Sequence, residues 1–416
     1  MDWSQLIIFI WSFVKVILYL AAPFVLLSWV CDAFMDTHKA STMSKRKHEL
    51  FEIKVPKTSI KTPLAMEVLL SSMWQPSGES NIWDTVWGGK SLAFFSLEIA
   101  MVDGVVHFYV WTQEKFAKII EQQVYAQYPG ATVSKVDDYT KMINFESSGK
   151  RLMSYEYFLS KRNCVYPIKT YLDFNLQDEK VDSELRTDPL NFLLEAIKGD
   201  KGEQLWIQFV MQAHKSNHPV WRKFGAFELF PRLKKRISWE EEGTKEIAKI
   251  RSKMINNADK LTENVSILST KGDNEKIAAI EHKASKIVFD VGIRSLYIAD
   301  KDKYNKSISS VLKSLFKPYD SLQFDYLRPR KITDTDMPWE LIPFYKQIVL
   351  SYLDLQQFVA FQKRSFFHLP RKSNNVSILN VEELATLFHF PGQDSEVAAV
   401  EKIMSKHAEP PGNLPV

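Results

Sequence analysis

Residues 6–30 read LIIFIWSFVKVILYLAAPFVLLSWV, an apolar run with Lys15 as its single charge. At 1.5 Å rise per residue, about 20 apolar residues in a helix cross a hydrocarbon layer, so a run of this length constrains the chain first. The leader Met1-Asp2-Trp3-Ser4-Gln5 lacks the positive charge of a secretory signal, and Ser28-Trp29-Val30-Cys31 offers no small-x-small cleavage site. Only Asp2 precedes the run, whereas Lys39, Lys45, Arg46, Lys47, Lys54 and Lys57 follow it. The positive-inside rule then predicts a single-pass anchor in the cell membrane, with the N-terminus outside and the bulk of the chain cytoplasmic. Lys15 reads either as a snorkelling cation or as a charge facing a partner in an oligomeric bundle.

The rest of the chain is long enough for real cores. Of 416 residues, 13% are aromatic, which excludes disorder as the main state. The 54 Lys+Arg against 50 Asp+Glu leave too little net charge for a protein that coats nucleic acid, so any basic surface is local. Two cysteines, Cys31 and Cys164, exclude a disulfide framework and a cysteine-built metal cluster.

Periodicity predicts an α+β fold in which the N-terminal transmembrane helix is followed by tandem ferredoxin-like (βαββαβ) units with a helical insertion. The anchor takes residues 1–31 and a polar linker residues 32–49; the first unit takes residues 50–150. Leu50–Val55 alternates as a strand, and Thr62-Pro63 opens a helix running to about Met73. Ser91–Val102 and Val105–Trp111 flank Asp103-Gly104, a hairpin signal. A helix to Gln127 and a strand Thr132–Val136 complete the order. In the second unit, residues 151–330, Tyr166–Phe174 reads as a strand, Asp188-Pro189-Leu190 as a helix start, and Gln204–Gln212 as a strand. A mostly helical insertion covers about residues 218–285, and Ile287–Ala299, Lys303–Phe316 and Leu322–Tyr326 read as strand, helix and strand. Residues 331–392 form an extension with a helix over Phe344–Phe361 and an ordered strip Ile378–Phe390; residues 393–416 are a Pro-rich tail.

Motifs for chemistry are sparse. Gly88-Gly89-Lys90-Ser91 suggests a phosphate loop, but Asp84 stands where the first glycine belongs, and Lys90-Ser91 leads into a predicted strand. His214 and His218 straddle Pro219 without a nearby third ligand. Asp137-Asp138 and Glu240-Glu241-Glu242 read as solvated faces or helix beginnings. No catalytic, cofactor or metal residues are expected, and the chain is not read as an enzyme. The candidate interaction patch is Phe227, Phe230, Arg232, Lys234, Lys235, Arg236 and Trp239. Interleaved rings and cations suit single-stranded nucleic acid, anionic lipid headgroups, or a helix that docks its rings on protein.

Several segments together carry a family resemblance. They are Phe51-Glu52-Ile53, Thr62-Pro63-Leu64-Ala65-Met66-Glu67, Phe95-Ser96-Leu97-Glu98-Ile99, His107-Phe108-Tyr109-Val110-Trp111 and Ala126-Gln127-Tyr128-Pro129, followed by Asp188-Pro189-Leu190. Near the end come Glu382-Glu383-Leu384-Ala385-Thr386-Leu387-Phe388-His389-Phe390-Pro391 and Pro410-Pro411-Gly412-Asn413-Leu414-Pro415. In this order they resemble the N-terminal region of bacterial membrane-anchored DNA-transfer ATPases of the conjugation and type IV secretion class. In that family a RecA-like motor with Walker motifs follows the Pro-rich linker; this sequence reaches Val416 before such motifs. The resemblance therefore implies an anchoring and docking module for a separate RecA-like motor or another secretion-system component, or the detached N-terminal part of a split coupling ATPase. The alternative is a membrane-tethered module for single-stranded nucleic acid or anionic lipid, and DNA and a homo-oligomer are left open as partners.

Overall fold

The computed structural model describes residues 3–56, 61–76, 89, 91–143, 145, 149–160, 164–177, 187–215, 239–258, 271–332 and 343–391. The chain divides into two units: residues 1–46, 77–92 and 215–238 form one, and residues 47–76, 93–214 and 239–416 the other.

In the first unit a single helix, α1 (Trp3–Ser44), contains the apolar run and continues well past it. Lys15 and Pro23 lie within it, and its last turns carry Asp36, His38 and Lys39. Among the described residues no helix is long and apolar enough to cross a membrane. The expected transmembrane anchor is corrected accordingly, together with the single-pass membrane localisation built on it. Gly89 adopts φ +55°, and a Cβ there would lie 2.4 Å from His38 Nδ1 of α1, so only glycine fits.

The second unit is built on one antiparallel sheet of nine strands: β1 (His48–Lys54), β2 (Phe94–Val102), β3 (Val105–Gln113), β4 (Thr132–Val136), β5 (Arg151–Leu159), β6 (Glu203–Ala213), β7 (Val288–Ala299), β8 (Leu327–Lys331) and β9 (Ser377–Asn380). The order across it is β4-β1-β3-β2-β6-β7-β5-β8, with β9 added alongside β7. Helices α2 (Pro63–Ser72) and α3 (Glu114–Gln127) connect strands of the first half. Helices α4 (Pro189–Ala196) and α7 (Ile308–Ser314) do the same in the second half. Each half is thus a β-α-β-β-α-β unit with strand order 4-1-3-2, and the two halves meet edge to edge through β2 and β6. Between β6 and β7 lie α5 (Trp239–Ala258) and α6 (Lys271–Ala284); α8 (Pro343–Gln362) and α9 (Val381–Leu387) complete the extension.

Strand residues alternate between two faces, and both are covered. One face carries Phe95, Leu97, Ile99, Ile207, Phe209, Ile293 and Tyr157, packed with Met66 and Leu69 of α2, Val124 of α3, Leu193 of α4 and Leu384 of α9. This is the main apolar core. Burying one such side chain contributes about 1.5–3 kcal/mol. The opposite face is aromatic and polar: Tyr109 stacks on Tyr139 at 4.9 Å, and Tyr139 meets the edge of Trp206 at 5.1 Å.

Two second-half elements differ from expectation. Tyr166–Phe174 is an irregular and turning segment, not a strand. Its amides are taken by other partners: Ile168 N–H donates to Glu383 Oε1, Lys169 N–H to Tyr319 O, and Tyr171 N–H to Thr386 Oγ1. The strand that opens this half is β5, and the strand that closes it begins at Leu327 rather than Leu322.

Candidate functional site

A line of polar residues crosses the sheet at one level. Cross-strand pairing joins Ser134 to Glu52, Glu52 to Tyr109, Tyr109 to Glu98, Glu98 to Gln208, Gln208 to Arg294, Arg294 to Glu156, and Glu156 to Arg330. Because side chains alternate with period two, residues paired in one register share one face. The row occupies the aromatic face, beneath α8 and the chain that follows it.

Three arginines organise the row. Arg364 is fully buried; its Nε donates to Glu98 Oε1 at 2.9 Å and its Nη2 to Glu98 Oε2 at 3.0 Å, a bidentate pair. Nη2 also donates to Asp138 Oδ1 at 3.0 Å, and Tyr139 Oη donates to Glu98 Oε2 at 2.7 Å. Burial pushes the Asp138 carboxyl up, but the Arg364 charge and the Thr140 hydrogen bonds more than reverse this, leaving it below the usual carboxylate value. Arg294, equally buried, donates to Gln208 Oε1 from Nε and Nη2, and to the carbonyls of Ser365 and Ala360. Its guanidinium also lies 4.2 Å from the Phe361 ring centroid. Arg371 approaches Glu156, whose carboxylate accepts from Ser373 Oγ and Asn375 Nδ2. The segment 360–375 is therefore strapped to the sheet by charge. Phe366 reinforces the strap by packing over Gly292, where a Cβ would lie 2.3 Å from its ring.

A second cluster lies on the main-core side around α9, whose residues are all buried. Asn380 and Glu383 form a reciprocal capping box at its start. Glu383 also accepts from the buried Lys283 Nζ of α6 at 3.0 Å, and burial raises the Glu383 pKa even against that cation. Glu382 takes His282 Nε2 at 2.7 Å and Lys286 Nζ at 2.6 Å. Lys286 reaches on to Glu67 of α2, which accepts from Tyr171 Oη as well. Just past the helix, His389 Nδ1 faces Ala385 O and Nε2 faces Asp188 Oδ2 at 3.1 Å. Two acceptors require both ring nitrogens to be protonated. Burial lowers the His389 pKa, but Asp188 and the carbonyl raise it further, to a net increase.

Of the sequence-derived patch, Phe227, Phe230, Arg232, Lys234, Lys235 and Arg236 lie outside the described residues. Trp239 opens α5 and is only 5% exposed, its ring 6.2 Å from that of His214 and 5.7 Å from Lys283 Nζ. It fills the core and offers no exposed stacking face. His214 itself pairs with Asp290 at 2.7 Å, and His218 lies outside the described residues. From Gly89 the chain runs through Ser91–Ala93 into β2, a strand, where a phosphate loop would run into a helix. Asp138, read from sequence as part of a solvated face or a helix beginning, does cap a short 3-10 helix, Tyr139–Lys141, by accepting from the Thr140 amide, and it also belongs to the buried Arg364 cluster. Glu240, Glu241 and Glu242 form the first turn of α5, where they complement the helix dipole. Among the described residues no group of His, Cys, Asp and Glu is placed to hold a metal ion.

Sequence reasoning missed the row and the clamp around α9. A signal was present: Glu98, Gln208 and Arg294 each sit near the middle of a predominantly apolar strand. Such positions are costly unless paired.

Among the described residues the fold is α+β, a nine-stranded antiparallel sheet clad on both faces and crossed by the paired-charge row. Residues 39–402 match the family model described as Domain of unknown function (DUF8128), and the chain belongs to that family. No curated protein matches the chain.

Proposed function

We propose that the chain is a non-catalytic docking module that holds a separately encoded RecA-like motor ATPase of the DNA-transfer class. The motor class rests on the resemblance of the quoted segments. The observation that carries the reading is the buried clamp around α9. The segment 382–391, which bears much of that resemblance, is tied by Glu382, Glu383, Thr386 and His389 to residues from three other parts of the unit: α6, the segment 166–174 and the start of α4. Helix α2 packs on α9 and turns Leu64 and Val68, one helical turn apart, outward at 52% and 44% exposure. A rigid backing behind an apolar pair is what a docking face needs, since ordering costs are already met before the partner arrives.

The test is to mix the purified chain with a RecA-like motor encoded beside it and measure binding by calorimetry and the motor's ATPase rate with and without the chain. A stoichiometric complex is expected, weakened at least tenfold by L64D/V68D, while the chain alone hydrolyses no ATP. Absence of a complex, or ATP turnover by the chain alone, overturns the reading.

A further inference from the structure

Helix α8 carries a carboxylate on the side it turns to the sheet. Asp354, Phe358 and Phe361 are spaced i, i+4, i+7, which is one seam of a helix. That seam lies on the aromatic face. Phe361 covers the Arg294 guanidinium at 4.2 Å, and Phe358 stacks on Phe145 at 5.3 Å with Trp206 at 6.1 Å. Tyr352 takes the opposite side of the helix and is exposed. Beneath the seam, Trp206, Leu296 and Ser154 are cross-strand neighbours, all wholly buried.

The two ends of α8 are held differently. At its C-terminal end Gln362 Nε2 donates to Thr140 O at 2.9 Å, and the turn that follows is fixed by Arg364 on Glu98 and by Arg294 on Ser365 O. Two turns earlier, half-buried Asp354 has no hydrogen bond or ion pair among the described residues, and the buried Ser154 hydroxyl has no hydrogen-bond partner either. Burial pushes the Asp354 carboxyl from its ordinary 3.8 up to about 6, with Lys331 at the end of β8 opposing the rise. Tyr304, in the loop after β7, lies near enough to feel the Asp354 charge, and Arg151 of β5 sits over the Tyr304 ring at 5.6 Å. The other charged groups on elements packed against α8 lie toward its Arg364 end: Glu156 of β5, paired across to Arg294, and Asp138 and Lys141 around Thr140.

We propose that α8 is a proton-gated cover: its N-terminal half stays seated on the sheet while Asp354 is protonated, and lifts when Asp354 ionises, pivoting on the bonded C-terminal end. An unpaired carboxylate is costly to keep out of water, and lifting this half of the helix hydrates it without breaking any of the arginine pairs. The apolar strip at Trp206 and Leu296 is what such lifting uncovers. Because the seated carboxyl titrates above its ordinary value, the seat is at full strength below 3.8 and is lost as pH rises through about 6.

The test follows amide hydrogen exchange of the full chain by mass spectrometry between about pH 4 and 8, with labelling times scaled to the intrinsic exchange rate at each pH. In the peptide covering residues 349–357, protection should fall by about tenfold per pH step of one up to about pH 6, then level off once the seated carboxyl is ionised as well. D354N cannot ionise and should hold this peptide at its acid-side protection throughout. K331Q removes the opposing cation and should extend the fall to higher pH. The inference is overturned if residues 349–357 are equally protected at both ends of the pH range, or if D354N keeps the wild-type profile. It is also overturned if a β6 peptide loses protection in step with α8, because the whole unit would then be opening.

Discussion

Replacing Arg364 by methionine tests whether the charge row holds the molecule together. In the native chain this guanidinium is wholly buried and satisfies both oxygens of Glu98 while also bonding Asp138 and the Gln362 carbonyl. Methionine keeps the aliphatic bulk and removes all of these donors. Glu98 is then left buried with the Tyr139 hydroxyl still donating to it, while Asp138 lies nearer the surface and can turn toward water. An orphaned buried charge of this kind costs about 3–5 kcal/mol. Removing both charges, in E98Q/R364M, leaves no orphan, so the double variant should be more stable than the sum of the single losses by at least about 2 kcal/mol. Urea unfolding followed by tryptophan fluorescence measures this directly, because Trp111 lies 5.5 Å from the Arg364 guanidinium and Trp206 packs on Tyr139. If R364M unfolds within about 1 kcal/mol of wild type, or if the double variant shows no recovery, the row is not a stabilising network and the argument from paired burial fails.

Gly292→Ala should destabilise by about 1–3 kcal/mol through collision with Phe366, and F366L in the same chain should restore part of the loss; thermal unfolding of the three variants checks it. The His389–Asp188 pair sets a pH window. His389 has a raised pKa, so its contribution is present in full below the ordinary histidine value of 6.5 and fades as pH climbs through the raised one. Asp188 has a lowered pKa, since His389 and the Leu190 amide outweigh its burial, so its contribution is present above the ordinary value of 3.8 and fades as pH falls through the depressed one. Unfolding free energy between these limits should therefore exceed that on either side, and D188N should flatten the alkaline limb; a D188N profile parallel to wild type would count against the pair.

Much of the architecture was legible because it is written in local chemistry. Asp103-Gly104 is a turn that only residues tolerant of positive φ can make, and both adopt it, so β2 and β3 follow. Proline at the first helical position marks α2 at Pro63 and α4 at Pro189, with Asp188 accepting from the Leu190 amide as a cap. The apolar run Leu6–Val30 fixed a helix through its composition, but helix length and apolarity together did not meet the requirement for a span among the described residues. What the sequence could not express was register. Glu98, Gln208 and Arg294 are separated by 110 and 86 residues, and each alone reads as an awkward polar group in a mostly apolar strand. Only the joining of the two halves through β2 and β6 sets them side by side, and only the return of the chain at Arg364 supplies the counter-charge, 266 residues after Glu98. The same holds for Tyr166–Phe174, whose composition suits a strand but whose amides are claimed by side chains of α9 from 215 residues away. Backbone preference is local and survives in the sequence. The pairing of buried charge depends on which distant segments share a face, and that is decided by the closed tertiary structure.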